Sequence, residues 1–487
     1  MSMQVKLRFN LCHIYSRKNL LLSLLLMLTL VFSCFIFLPV CSSFSTLGTP
    51  DKVVSTETEL RNAVNNSIKP IVIALNGDIT LRETIVIPAN KDITLTSNSN
   101  TKLFKLIGRH YATTLTVEND GVLKIDGIIV THELNDSMKR TRGIGVYVNS
   151  SGTLALYSGE ISGNKASSDG GSGVYNTGSF SMFGGAITNN TTVNEDEWYV
   201  LSGGGVYNSG SFTMSGGTIS GNTASNYGGG VYNSGNFTMS GGTITNNTSL
   251  SLGGGVCNRG NFTIFDGMIS NNTVTYGGGG VYTGGDKFAG VTFEMFDGMI
   301  SDNTAMSGGG VAMGIWGSFS MFGGEITNNK ANYGGGIILS NVLYEHGDVK
   351  DVAKLIGGTI SGNIAYTDGG GVYVGVKNLD TLFVLDGVMF ENNCASATYD
   401  RSFIHNRVYD SHIGRNVTWT APFTQGYNNY DISYTGAQIP YDVISRLVIV
   451  AVLAVGAIGW LFLYFKKRKT DAEINHRSDK SVAPTLS

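Results

Sequence analysis

A polysaccharide-cleaving or cation-binding centre would have to be built from carboxylates, so the acidic residues are the first to place. General acid–base chemistry needs two or more Asp or Glu side chains within hydrogen-bond reach of the reacting bond. The nearest approach to such a set is Asp266, Asp297 and Asp302 with Glu325. Asp266 and Asp297 hold one position in neighbouring copies of a repeat, and each is followed by Gly. Stacked carboxylates can hold a cation, but Asp-Gly also begins turns, and turns are the favoured expectation. The Gly-Gly-Gly runs, such as Gly277–Gly280, are followed by no Lys-Ser/Thr and make no phosphate loop. The expectation is a protein that is not an enzyme, with no catalytic residue, no metal and no cofactor.

Aromatic residues offer a different chemistry. Tyr147, Tyr175, Tyr207, Tyr232, Tyr282 and Tyr373 share one repeat position, interrupted by Cys257, Ala312 and Ile338. An outward row of rings would contact sugars or form an amphipathic strip; rings packed on one another to protect strand edges are the structural alternative. Three insertions, Thr191–Ser202, Thr283–Val291 and Ser340–Val352, add Trp198, Tyr199, Phe288, Tyr344 and His346 on loops. Loops leaving a repeat array often carry binding, and tolerated surface variation is the plainer reading.

These residues are positioned by a repeat. GGGVYNSGSFTMSGGTISGN at Gly203–Asn222 returns from Gly228 and from Gly253. Successive copies start their Gly-Val-Tyr core at Gly205, Gly230, Gly255 and Gly280, 25 residues apart, and the outer spacings run from 26 to 35. A period in this range marks stacked supersecondary units. Each copy holds alternating runs such as Val206–Asn208, Phe212–Met214 and Thr218–Ser220, bounded by turn residues, which read as strands. One rung of three strands cannot bury a core alone, whereas a coil of rungs pairs each strand with the next. The pattern predicts an all-β, right-handed parallel β-helix solenoid.

Alternation places Val206, Phe212, Met214, Ile219 and Asn222 inside, with Tyr207, Thr213 and Ser220 outside. Asn164, Asn190, Asn222, Asn247, Asn272, Asn303, Asn329, Asn363 and Asn392 recur after the third strand and predict a structural ladder of side-chain amides.

Val53–Asn66 carries Ser55, Thr56 and Glu59 as a capping box and predicts a short amphipathic helix covering the first coil. The early segments NGDITL, TIVIPANKDITLTS and VENDGVLKIDGIIV, after this helix, resemble the start of pectin-lyase-like β-helix proteins. The repeats, with GGGVY and motifs such as Ile219-Ser220-Gly221-Asn222, resemble those of polymorphic outer-membrane and adhesin-like proteins. That resemblance covers about Val53–Asn393 and implies the fold and an adhesive role. No β-barrel translocator follows the repeats, so it implies no autotransporter route.

The ends point to a membrane. Leu20–Val40 is apolar after Lys6, Arg8, Arg17 and Lys18, the layout of a signal peptide or signal anchor over 1–45. Leu447–Phe465 holds 19 residues without a charge, enough to cross a bilayer as a single helix within 445–465. Lys466–Lys469 follow, which places the 466–487 tail in the cytoplasm and the repeats outside the cell membrane. Between lie the cap and early rungs (51–142), the glycine-rich rungs (143–394) and an aromatic cap or stalk (395–442). Net charge is −3 with 14% charged residues, which gives no reason to expect a nucleic-acid partner. Five cysteines, with Cys257 and Cys394 several rungs apart, leave no disulfide framework. The function expected is a membrane-anchored extracellular adhesin or display protein with a surface glycan or protein ligand. The alternatives are a tethered polysaccharide lyase or hydrolase on the same fold, or a purely structural envelope component.

Overall fold

The computed structural model describes residues 49–109, 112–132, 143–167, 170–193, 201–285, 290–339, 352–374, 381–395, 407–410, 415–418 and 432–433. From Asp51 to Ala395 these form a parallel β-solenoid, and Arg407–Asp410 pairs antiparallel with Arg415–Thr418 as a separate two-stranded sheet. The signal segment 1–45, the apolar stretch Leu447–Phe465 and the tail 466–487 lie outside the described residues. No described helix is long and apolar enough to cross a membrane.

The first strand of the solenoid, Lys52–Val54, pairs in parallel with Ile71–Leu75, and α1 (Glu57–Asn65) lies between the two in the chain. Thr56 and Glu59 form the reciprocal capping box, so two of the orphan amides at the helix start are satisfied. Leu60 and Val64, one turn apart, are buried in the core, and the Arg61 guanidinium donates to Glu57 and to the backbone oxygen of Thr84.

One rung illustrates the rest. β1 (Val231–Asn233), β2 (Asn236–Thr245) and β3 (Thr248–Ser249) lie directly under β4 (Val256–Asn258), β5 (Asn261–Ser270) and β6 (Thr273–Val274). The register pairs like with like: Val231 with Val256, Phe237 with Phe262, Ile244 with Ile269. A one-residue slip would turn every apolar side chain outward, so the register is fixed by burial.

The three faces are not the three runs read from the sequence. The Phe-Thr-Met and Thr-Ile-Ser runs belong to one bent sheet of 19 strands and merge into a single strand in β2 and β5. Val-Tyr-Asn runs form a twelve-stranded sheet, and the pair after the Asn turn, such as Thr248–Ser249, forms the third face. These two-residue strands are too short to show an alternation. Ile432–Ser433 returns to pair with Val372–Tyr373 as the last strand of the twelve-stranded sheet, and Ile432 is buried.

The core is columnar. Val206, Phe212, Met214, Ile219 and Asn222 are all buried, as the alternation predicts. The rings of Phe180, Phe212, Phe237, Phe262, Phe293 and Phe319 stack at centroid separations of 4.6 to 5.0 Å, which is the rung spacing. Each ring therefore covers the face of the next, and no rung can bury its Phe without a neighbour.

Candidate functional site

The Asn ladder is the most regular polar feature. Asn164, Asn190, Asn222, Asn247, Asn272, Asn303, Asn329 and Asn363 are each buried. In each step the backbone N–H and Nδ2 donate to Oδ1 of the Asn one rung further on. Asn222 to Asn247 is 3.0 Å for both bonds, and Asn247 to Asn272 is 2.9 and 3.0 Å. The second Nδ2 proton goes to an Ile carbonyl one rung back, as from Asn247 to Ile219 at 2.9 Å, or for Asn164 to the Val130 carbonyl. The ladder is structural, with one correction: its last member is Asn393, not Asn392. Asn393 accepts from Asn363 at 3.0 Å, whereas Asn392 sits in the left-handed region at φ 55. Asn189, Asn246, Asn271, Asn328 and Asp302 hold the same left-handed turn position, where only Gly, Asn and Asp are at ease.

At its N-terminal end the ladder begins on His132. Nδ1 lies 2.7 Å from Asn164 Oδ1, and Nε2 lies 2.7 Å from the carbonyl oxygen of Ala112. A second ladder, missed in the sequence, runs through Asn176, Asn208, Asn233 and Asn258 with Nδ2–Oδ1 distances of 2.7, 2.7 and 2.8 Å. Its signal was present, since alternation in Val-Tyr-Asn puts Asn on the same side as Val.

The tyrosine row takes its structural alternative, rings packed on one another. Tyr147, Tyr175, Tyr207 and Tyr232 stack face to face at 5.0, 4.6 and 5.0 Å and are only partly exposed. Tyr373, expected outside, is 5% exposed, and packs with Ala312 and Ile338 in a small second core that Tyr282 borders. The preceding Gly-Gly turns lie over this face: a Cβ on Gly171 would come 2.8 Å from that of Tyr207. Ring faces that a sugar would need are thus occupied by neighbouring rings. Trp198, Tyr199, Phe288, Tyr344 and His346 lie outside the described residues.

Cys257 interrupts this row and is fully buried beside Arg259. Burial pushes the thiol up to about 12, against the opposing pull of the Arg259 guanidinium, which itself lies over the Tyr227 ring at 5.2 Å. The thiolate is the reactive form, so Cys257 is inert in the folded chain while Cys394 is exposed. Maleimide labelling at pH 7 followed by peptide mapping is expected to modify Cys394 and to reach Cys257 only after denaturation. Equal labelling of both in the native chain would contradict the burial.

The carboxylates do not gather. Asp266 and Asp297 each accept from the backbone N–H of the following Gly, at 2.6 and 2.8 Å, as turn formers. Asp302 occupies the left-handed turn (φ 57), and Glu325 lies in a strand on the outer surface. Among the described residues no three His, Cys, Asp or Glu side chains group as a metal site would require.

One outward column is unlike the rest of the surface. The residue after inward Leu156, Met182, Met214, Met239, Ile264, Met295 and Met321 of the bent sheet is Tyr157, Phe183, Ser215, Ser240, Phe265, Phe296 and Phe322 in successive rungs. Phe265, Phe296 and Phe322 stack at 5.1 and 4.7 Å, with Phe265 49% and Phe322 40% exposed and Met268 alongside at 39%. The sequence reading passed over this column because two of its seven members are serines and it falls on a turn.

Comparison with family models, with curated proteins and with solved structures finds no match to this chain.

Proposed function

We propose that this chain is a membrane-anchored, adhesin-like surface protein whose solenoid presents a contact ridge to extracellular glycans or proteins. In this reading the coil is right-handed, as parallel crossovers nearly always are, and α1 covers its first rung. Leu447–Phe465 is the anchor and Lys466–Ser487 the cytoplasmic tail, with the repeats outside the cell. The chain acts by binding and is not an enzyme.

The observation that carries the reading is the exposed stack of Phe265, Phe296 and Phe322 with Met268 beside it. Contiguous apolar surface on an otherwise hydroxyl- and amide-rich exterior marks a contact site. The contact residues are therefore placed on this ridge, in place of the stacked tyrosines.

The test is binding of the full chain, in detergent micelles, to an array of surface polysaccharides and glycoproteins. Replacing Phe265, Phe296 and Phe322 together by Ser is expected to weaken binding at least tenfold, since aromatic anchors dominate such contacts. Binding indifferent to the triple replacement, or absent from every ligand, sinks the adhesive reading.

A further inference from the structure

A buried titratable side chain stands where the first Asn ladder begins. His132 is 8% exposed, and its two ring nitrogens meet Asn164 Oδ1 and the carbonyl oxygen of Ala112, each at 2.7 Å. The backbone oxygen can only accept. Asn164 Oδ1 is an acceptor as well, because the other end of that amide lies 2.8 Å from Asn190 Oδ1, an oxygen that already accepts the Asn164 backbone N–H at 3.0 Å. Turning the Asn164 amide over would set oxygen against oxygen. Both nitrogens of His132 therefore face acceptors. A neutral imidazole has one N–H and would aim the lone pair of its other nitrogen at an oxygen, whereas the imidazolium donates from both.

The ladder itself favours the charge. From Asn164 to Asn393 every step runs the same way, with Nδ2 of one residue donating to Oδ1 of the next at 2.8 to 3.0 Å. The amide dipoles line up head to tail, and the carbonyl end of the row is Asn164. Aligned peptide dipoles draw a cation to the carbonyl end of a helix, and side-chain amides chained through a low-dielectric core polarise one another in the same sense. His132 occupies that end. We propose that His132 is held as an imidazolium that caps the Asn ladder and fastens the Ala112–Thr114 segment to it, a catch that is closed while both ring nitrogens carry protons and opens when one is lost.

The surroundings decide which bond opens. Asn164 is fixed by its own bonds to Asn190 and Val130, and its oxygen is the negative end of the row, so the remaining proton stays on Nδ1. Nε2 then turns a lone pair on the Ala112 oxygen. The ring cannot swing aside, because backbone lies against it: a Cβ on Gly143 would come 2.4 Å from Cδ2, and one on Gly108 2.7 Å from Nε2. The segment yields instead, and it is held by the Ala112 N–H on Arg109 O at 3.2 Å and the Thr114 N–H on Ile144 O at 2.9 Å. The described residues against the ring, Gly108, Ala112, Thr114, Gly143 and Asn164, carry no charge. Arg109, next to Gly108, and Lys165, next to Asn164, are exposed, while His110, Glu133, Asp136, Lys139, Arg140 and Arg142 lie outside the described residues. Because the fold favours the charged ring, His132 keeps its second proton to a higher pH folded than unfolded, where histidine titrates at about 6.5. The stability that the catch contributes is complete in acid below the unfolded value and is lost as the pH rises through the folded one.

The experiment is nuclear magnetic resonance of the full chain in detergent with nitrogen-labelled histidine, reading the ring-nitrogen shifts against pH. The His132 signals are those of seven histidines that vanish in His132→Gln. At about pH 7.5, where ordinary histidine is mostly neutral, His132 is expected to show two protonated nitrogens. Hydrogen exchange of the wild type gives a readout that needs no variant. As the pH rises from about 6 to about 9.5, the Ala112 and Thr114 amides are expected to lose protection about tenfold beyond the intrinsic effect of pH, with the rungs over 206–272 unchanged. A ring with a single proton at about pH 7.5 would overturn the proposal, as would Ala112 and Thr114 amides whose protection is indifferent to pH. A loss of protection shared by every rung would trace the effect to global unfolding and overturn the catch as well.

Discussion

Asn247→Leu is expected to destabilise the solenoid by about 3–6 kcal/mol. The substitution removes the acceptor of two buried donors, the backbone N–H and Nδ2 of Asn222, and the donors to Ile219 O and Asn272 Oδ1. Each buried polar group left unmet costs about 1–3 kcal/mol, and leucine, though close in volume, supplies none of the missing bonds. Asn246→Ala, one residue earlier, is the control. It loses no ladder bond and meets only the strain of φ 55, about 1–2 kcal/mol. Urea denaturation of the two variants checks the difference. Because each rung touches only its neighbours, hydrogen exchange should rise in the rungs flanking Asn247 and little elsewhere. A loss for Asn247→Leu no greater than for Asn246→Ala would show that the amides contribute little beyond filling space.

Gly229→Ala should cost about 3 kcal/mol or more, at the upper end of what overpacking produces. A Cβ there would lie 2.5 Å from the carbonyl oxygen of Gly254 and 2.5 Å from that of Thr248. Both obstacles are backbone, so relief requires two rungs to part. Gly77→Ala meets nothing within 4 Å and should be close to neutral. Thermal unfolding of the pair separates steric blockage from a general intolerance of side chains at glycine. Similar behaviour of the two variants would place the role of the Gly-Gly-Gly triplet elsewhere.

Much of the coil was legible because its periodicity is redundant. Phe212, Met214 and Ile219 point inward in one copy, and the neighbouring copies repeat the vote at 25-residue steps. Helix α1 was legible through Thr56 and Glu59, a pairing with a specific geometric meaning. The misreadings have physical causes too. Period-2 alternation tells which side a residue takes but not what covers that side, so Tyr373 was placed in the open when Gly-Gly turns and Ile338 enclose it. The two-residue strands of the third face, such as Thr248–Ser249, are shorter than any alternation. The ridge of Phe265, Phe296 and Phe322 was invisible because its neighbours in the column are serines, and only the register aligns them.

The pairing of like residues between rungs, Val231 on Val256 and Phe237 on Phe262, has a consequence for heredity. Copies this similar can be removed or added as whole units without changing which residue types meet between rungs. In most proteins such an event is ruinous. Here a unit removed between equivalent positions joins Val to Val and Asn to Asn, and both ladders close across the seam. The number of units can therefore change in steps of one while both ladders stay closed, with no compensating substitution required.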